Sequence, residues 1–451
     1  MNSLLRPLRL ALLGALLLGW TPCLGPVQAS PQEPKRVPPR TTYAPSAVPD
    51  RIVLTWTGEP ATTQSVTWRT DATVTTPVAE VAVAGDGPAF VRERRRVEGV
   101  TTRLATYLGR AHYHTAHFRD LQPETLYAYR VGDGVNWSEW SHFTTASRVP
   151  KPFSFIYFGD AQNALKSHWS RVVREAFREA PRAAFLLHAG DLINRANNDA
   201  EWGEWFHSGG WIFRTLPSIA TPGNHEYGLG GLSRHWRPIF AFPEHGPKGL
   251  EETVYYVDYQ GTRVVSLNSN VRRRLDEQVS WFEETMQSNE SRWTIVTMHH
   301  PVYSTAVKRD NPKLRNTLQP VFDRHRVDLV LQGHDHTYGR TVLMRHAHDG
   351  GEEHTHETNV PTGVVARGGE FGTVYVVSVS GPKMYRLDAK PFMRRSGSNT
   401  QLFQVISIDG DVLRYSAYTA TGKLYDRFEL HKTPDGPNRL VEMQDGRGPA
   451  K

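Results

Sequence analysis

Ala184-Phe185-Leu186-Leu187-His188-Ala189-Gly190-Asp191 reads as a buried strand that ends in a tight turn and delivers a carboxylate off a sheet edge. The same phrase recurs along the chain. Phe153 to Phe158 precedes Gly159-Asp160-Ala161-Gln162, and Ser218-Ile219-Ala220 precedes Gly223-Asn224-His225-Glu226. Trp293 to Met298 runs into His299-His300, and Leu329-Val330-Leu331 runs into Gly333-His334-Asp335-His336. Strand ends that converge on one edge can build one site from residues far apart in sequence. The donors are carboxylate, amide and imidazole with no thiolate, a set suited to hard or borderline ions such as Fe, Mn, Zn or Co.

Between these runs the period changes to that of a helix. Trp169, Val172, Val173, Ala176, Phe177 and Ala180 recur at helical spacing, as do Leu275, Val279, Phe282 and Met286, and Leu314 to His325 reads the same way. Thr253 to Tyr259 with Arg263 to Leu267 look like an antiparallel pair. Four more β runs follow, from Val374, Phe403, Val412 and Lys423. Residues 148–432 are therefore expected to form a layered α/β (α+β) domain with mixed β-sheets flanked by helices.

Residues 49–147 have a different grammar. Ile52 to Trp56, Ser65 to Arg69, Tyr107 to Phe118 and Leu126 to Val131 are short β runs separated by turn residues, as in an all-β sandwich. Leu121-Gln122-Pro123-Glu124-Thr125 before Tyr127 is similar to the corner that fixes a buried Tyr in fibronectin III-like domains. This module carries no ligand cluster, so packing or positioning is its expected role. Arg92-Glu93-Arg94-Arg95-Arg96 reads as a solvated strand end or loop.

With 451 residues there is room for two domains and a sizeable core, and the formal charge of +7 is moderate. No long basic run interleaves with aromatics, so nucleic acid is not an expected partner. Residues 1–29 read as an export signal: Arg6 and Arg9, an apolar middle from Leu10 to Trp20, and cleavage after Ala29. That middle is too short to span a bilayer, and no later run reaches membrane length. The only cysteine, Cys23, would leave with the signal, giving a mature chain without disulfides. Residues 30–48 read as an extended Pro-rich linker and 433–451 as a loose polar tail. A periplasmic or secreted location follows, and a homodimer is a further partner expectation.

As a set, the five motifs resemble the calcineurin-like metallophosphoesterases, and with the β-module the chain resembles the purple acid phosphatase branch. The resemblance implies one metal held by Asp160, Asp191 and His336, and a second by Asp191, Asn224, His299 and His334. It places His225 beside the scissile phosphate as electrostatic stabiliser or general acid. The implied activity is a binuclear-metal, acid phosphatase-like hydrolase of phosphate monoesters. A phosphodiesterase of the same family is the alternative, and a worn surface binding protein a weaker one. In such a centre two cations lower the pKa of water, and the resulting hydroxide attacks phosphorus.

The chain departs from that branch at the first metal. The branch has a metal-binding Tyr three residues after the second Asp, where this chain has Asn194. The purple tyrosinate–Fe(III) colour is therefore not expected. Gln162 stands where many phosphoesterases have a ligand His. Gln162 and Asn194 could each offer an amide oxygen or act as outer hydrogen-bond partners. Arg309, with Lys308 and Arg315, lies either in a loop clamping the substrate phosphate or in a solvated one. His346, His348, His354 and His356 could gather metal, although a solvated loop is the simpler reading. Trp202, Trp205, Trp211 and Trp236 read as packing residues, and Tyr338 and Arg340 as structural ones.

Overall fold

The Leu186–His188 strand lies in the middle of one edge of a seven-stranded sheet, between Ser218–Ala220 and Phe153–Phe158, and all three are parallel. Leu402–Asp409, Val412–Thr419, Leu424–His431 and Arg439–Glu442 continue this sheet antiparallel. A second seven-stranded sheet has Tyr255–Tyr259, Thr262–Ser266, Trp293–Met298, Leu329–Gln332, Val374–Val377, Tyr338–Thr341 and Met393–Gly397 in that spatial order. Its middle four strands are parallel. The computed structural model describes residues 37–346, 371–388, 390–433 and 436–443, and the backbone of Gly363–Val365.

The two sheets face each other across one apolar core. Phe155, Tyr157, Leu187 and Ile406 from the first sheet meet Val264, Ile295, Leu329 and Val376 from the second. The outer face of the second sheet is covered by the helices Leu275–Gln287 and Pro312–Arg324, whose Phe282, Leu314, Leu318 and Phe322 form a second cluster. The Ser170–Glu179 helix covers the first sheet with Val172, Val173 and Ala176. This is the expected mixed α/β layering. Because the parallel strands of both sheets point the same way, their C-terminal ends form one rim, and Asp160 bridges to Val379 across it.

Ahead of this domain, two four-stranded antiparallel sheets pack as an all-β sandwich. Trp68, Phe118, Tyr129 and Phe143 fill its core. The Tyr127 hydroxyl accepts the Gln122 backbone N–H at 2.8 Å, the corner contact its sequence suggested.

Two readings of the sequence need correction. Pro39–Tyr43 forms a helical turn, and the Tyr43 carbonyl accepts from Arg69 at 3.0 Å, so the end of the Pro-rich stretch docks on the protein instead of running free. Within 433–451, Arg439–Glu442 adds the last strand of the first sheet, held by main-chain pairing that short polar strands do not advertise. The basic run is the exposed strand end its sequence suggested, and from it Arg94 and Arg96 each lay a guanidinium on the fully buried Glu80 at 3.0 Å, joined there by Arg130 at 2.7 Å. A buried carboxylate demands such partners. The export signal of residues 1–29, and His348, His354 and His356, lie outside the described residues.

Of the four tryptophans read as packing residues, Trp202, Trp205 and Trp236 are fully buried, and Trp205 stacks on Phe213 at 4.1 Å. Trp211 is 57% exposed and meets Phe177 only by its edge. Tyr338 donates to Asp426 at 2.7 Å, and Arg340 binds Asp426 and Glu442, a buried brace between the two sheets.

Candidate metal centre

The five motifs leave the common rim together. Asp191, His334 and His336 all hold positive φ (52°, 75° and 47°), a conformation that side-chain-bearing residues rarely adopt and that clusters at functional sites. The loops approach closely. A Cβ on Gly333 would lie 2.2 Å from Asp160 Oδ1, and one on Gly190 would lie 2.7 Å from His299 Nδ1, so neither position admits a larger residue.

Two groups of donor atoms result. Asp160, Asp191 and His336 form one, and Asp191, His299 and His334 form the other, each within 4.8 Å. Asp191 belongs to both. Its Oδ2 lies 3.3 Å from His299 Nε2 and 2.9 Å from the Gln162 amide nitrogen, while Oδ1 accepts the His225 backbone N–H. In the second group Asn224 Oδ1 is 3.0 Å and His334 Nδ1 3.1 Å from His299 Nε2.

The hydrogen bonds of the imidazoles decide what the groups can hold. His299 Nδ1 faces the Ala189 carbonyl at 2.9 Å and His336 Nδ1 faces the Lys383 carbonyl at 2.8 Å. A carbonyl only accepts, so each Nδ1 carries a proton and Nε2, turned inward, is the nitrogen left to bind a cation. His336 Nε2 lies 2.9 Å from Asp160 Oδ2, and His299 Nε2 lies among carboxylate, amide oxygen and imidazole. Asp160 Oδ2 and Gln162 Oε1 are buried and accept no hydrogen bond among the described residues. Electron pairs crowded together without protons fit cations, and two of them.

Electrostatics agree. Burial opposes charge on Asp160, yet His336 and His299 hold its carboxyl below the ordinary value. Burial also opposes charge on His299, but Asp191 and Asp160 push its pKa up to about 10. The field here draws positive charge. His334 and His300 are shifted the other way, by burial and by neighbouring His299.

Gln162 is fully buried inside the first group, with its amide nitrogen 3.0 Å from His336 Nε2. Asn194 is placed differently. Its carbonyl accepts His225 Nδ1–H at 2.6 Å and its N–H goes to Glu201, and no described hydrogen bond ties its side chain to either group. His225 thereby turns Nε2 toward the centre, 4.0 Å from Asp191 Oδ2. Arg309 donates to the His334 carbonyl and Asp335 at 3.4 Å and stacks on Tyr385 at 4.6 Å. Arg315 is not in a solvated loop: it is buried, pairing with Asp310 at 2.7 Å and donating to the Val302 carbonyl.

Two supports escaped the sequence reading. Glu226 is fully buried and accepts backbone N–H groups from Asp191, Leu192, Ile193 and Gly223 at 2.7–3.3 Å, tying the second and third motifs together. The only sequence signal was its place after His225. Tyr385 lies 4.5 Å from His336, ring to ring, in a loop that no motif marks.

The β-sandwich touches the same loops from outside. Tyr107 donates to Asn198 at 2.7 Å, Thr106 donates to Asp199 at 2.9 Å, and Arg51 pairs with Asp199. From the next turn Glu201 accepts from Asn194 and Arg195 at 2.9 and 2.8 Å, so the segment that seats His225 is held from both sides.

Comparison with known proteins matches this architecture twice. Residues 49–145 match the family described as purple acid phosphatase, N-terminal domain, and residues 153–338 match calcineurin-like phosphoesterase. An uncharacterized protein of Mycobacterium tuberculosis is 29% identical over 331 residues, covering 64% of this chain and 61% of its own length. This chain thus spans about three fifths of that relative. Mouse acid phosphatase type 7 is 26% identical over 330 residues, covering 66% of this chain and 71% of the mouse protein. The structure of a purple acid phosphatase from yellow lupin (Lupinus luteus) seeds superposes with a TM-score of 0.70 at 19% identity, covering 85% of this chain and 74% of the lupin chain. Sandwich, double sheet and convergent motifs together make this chain a member of the calcineurin-like metallophosphoesterases, in the branch with a purple acid phosphatase N-terminal domain.

Proposed function

We propose that the chain is an exported binuclear-metal phosphohydrolase that acts on phosphate monoesters. The observation that carries this reading is the Asp191 carboxylate, which belongs to both donor groups. Asp160, Asp191 and His336 would hold one ion, and Asp191, Asn224, His299 and His334 the other. Fe, Mn or Zn suits these donors. When bound, such a pair of ions supplies Lewis-acid stabilisation of phosphate oxygens and a water of lowered pKa.

The chain's own residues supply the rest. His225 is fixed by the Asn194 carbonyl with Nε2 turned inward, so in its protonated form it can deliver a proton to the departing alkoxide oxygen. Arg309 stands beside His334 with its guanidinium partly exposed, positioned to pair with a nonbridging phosphate oxygen. Tyr385 supports Arg309 from below by stacking. Glu226 keeps the Asp191 turn in register, which keeps the shared oxygen at the centre.

The assay is release of para-nitrophenol by metal-loaded protein from the monoester and from the bis-ester. The proposal expects monoester turnover to dominate, and dominant bis-ester turnover would make the enzyme a phosphodiesterase. No turnover of either would overturn the hydrolase reading. Export is tested by sequencing the N-terminus of protein recovered outside the cytoplasm, with Ser30 expected first.

A further inference from the structure

Behind Arg309 lies a cavity of about 460 Å³, lined by Ser304, Lys308, Arg309, Arg315, Asp388 and Lys390 among others. It shares a wall with the metal centre. Arg309 donates to the His334 carbonyl, and Ser304 donates to Asp335 of the same motif. The lining carries four basic side chains, Lys308, Arg309, Arg315 and Lys390, against two acidic ones, Asp310 and Asp388. Arg315 is spent on Asp310 and Lys390 pairs with Asp388 at 2.6 Å. Lys308 has no ion-pair partner among the described residues, and Arg309 reaches Asp335 only at 3.4 Å. Lys383 extends the positive wall toward His336, with its ammonium 5.3 Å from the Tyr385 ring centre.

We propose that this cavity is a subsite for a second phosphoryl group, so that the preferred substrates are esters carrying another phosphate a few atoms from the scissile one. The inference rests on the phosphohydrolase reading above. A single phosphate is filled by the metal centre and Arg309, which leaves Lys308 and the far side of the cavity without a task. The volume suits a group larger than phosphate alone, within the range of ordinary ligand pockets. An anion there would replace the acid partners of Lys390 and give Lys308 one, in a wall partly shielded from water.

The test uses the metal-loaded full chain and the double variant Lys308→Gln/Lys390→Gln. Turnover is compared on fructose 1,6-bisphosphate and para-nitrophenyl phosphate, and calorimetry compares propane-1,3-bisphosphonate with propylphosphonate, neither of which can be hydrolysed. The bisphosphate should lose about tenfold in kcat/KM in the variant, while para-nitrophenyl phosphate stays within about twofold. The bisphosphonate should bind the wild type about tenfold more tightly than the monophosphonate, and the variant should erase that gain. Equal affinities in the wild type, or equal losses on both substrates, would overturn the subsite. Absence of turnover with the bisphosphonate preference intact and erased by the variant would sink the hydrolase reading and leave the subsite standing.

Discussion

The two halves of the metal centre share Asp191 and differ in almost everything else. The second half gathers Asn224, His299 and His334 beside Asp191, with His299 oriented from outside by the Ala189 carbonyl. The first half relies on the fully buried Asp160 and His336, with Gln162 reaching in between them and Asp191. By the resemblance read from the sequence, the second half keeps every expected ligand, whereas the first has Asn194 in place of an anionic phenolate. Charge accounts for the consequence: one fewer anion at the first ion favours a divalent occupant over Fe(III).

Substitutions can break this comparison in order of severity. Asp191→Ala removes the shared oxygen, so both ions should leave in elemental analysis, and kcat/KM should fall about 10³-fold or more. If the variant retained one full equivalent of metal, the bridging role would be wrong. His225→Ala should keep both ions and lose about 10²- to 10⁴-fold in kcat. A loss confined to KM would make His225 a binding residue only.

Gln162→Ala and Asn224→Ala separate the halves. Each should weaken retention of one equivalent about tenfold to a hundredfold in a dialysis titration, and the double variant should retain neither. Asn194→Ala should leave metal content unchanged, because among the described residues its hydrogen bonds run through its main chain. Protein loaded with ferric iron should show no tyrosinate charge-transfer band, and a purple product would reverse the reading of the first half. The smallest effect belongs to Tyr107→Phe. Losing its bond to Asn198 should lower kcat by roughly threefold to tenfold at unchanged metal content, through looser seating of His225. Unchanged kcat would leave the β-sandwich a packing module.

The convergence of the proposed ligands was legible because each follows an apolar strand and a turn, and strand ends in parallel sheets converge by geometry. Asp160, Asp191, Asn224, His299, His334 and His336 all obey that rule. Tyr385 and Lys383 do not. They reach the centre through pairing of Ala306 with Leu387 and of the Val307 N–H with the Arg386 carbonyl, a tertiary contact without local periodicity. Glu226 sat within a motif, yet its task is to collect main-chain N–H groups from two loops, which residue type alone does not announce. Arg94 and Arg96 are exposed as read, but their partner Glu80 lies on a strand the alternation did not reveal. The helical turn at Pro39–Tyr43 and the Arg439–Glu442 strand are likewise held by docking and not by propensity.

Anomalous diffraction from crystals of the metal-loaded protein tests the central claim most directly. Two ions should lie about 3.5–4 Å apart and share Asp191, one against Asp160 and His336 and the other against Asn224, His299 and His334. A single ion, or two that do not share Asp191, would contradict the account.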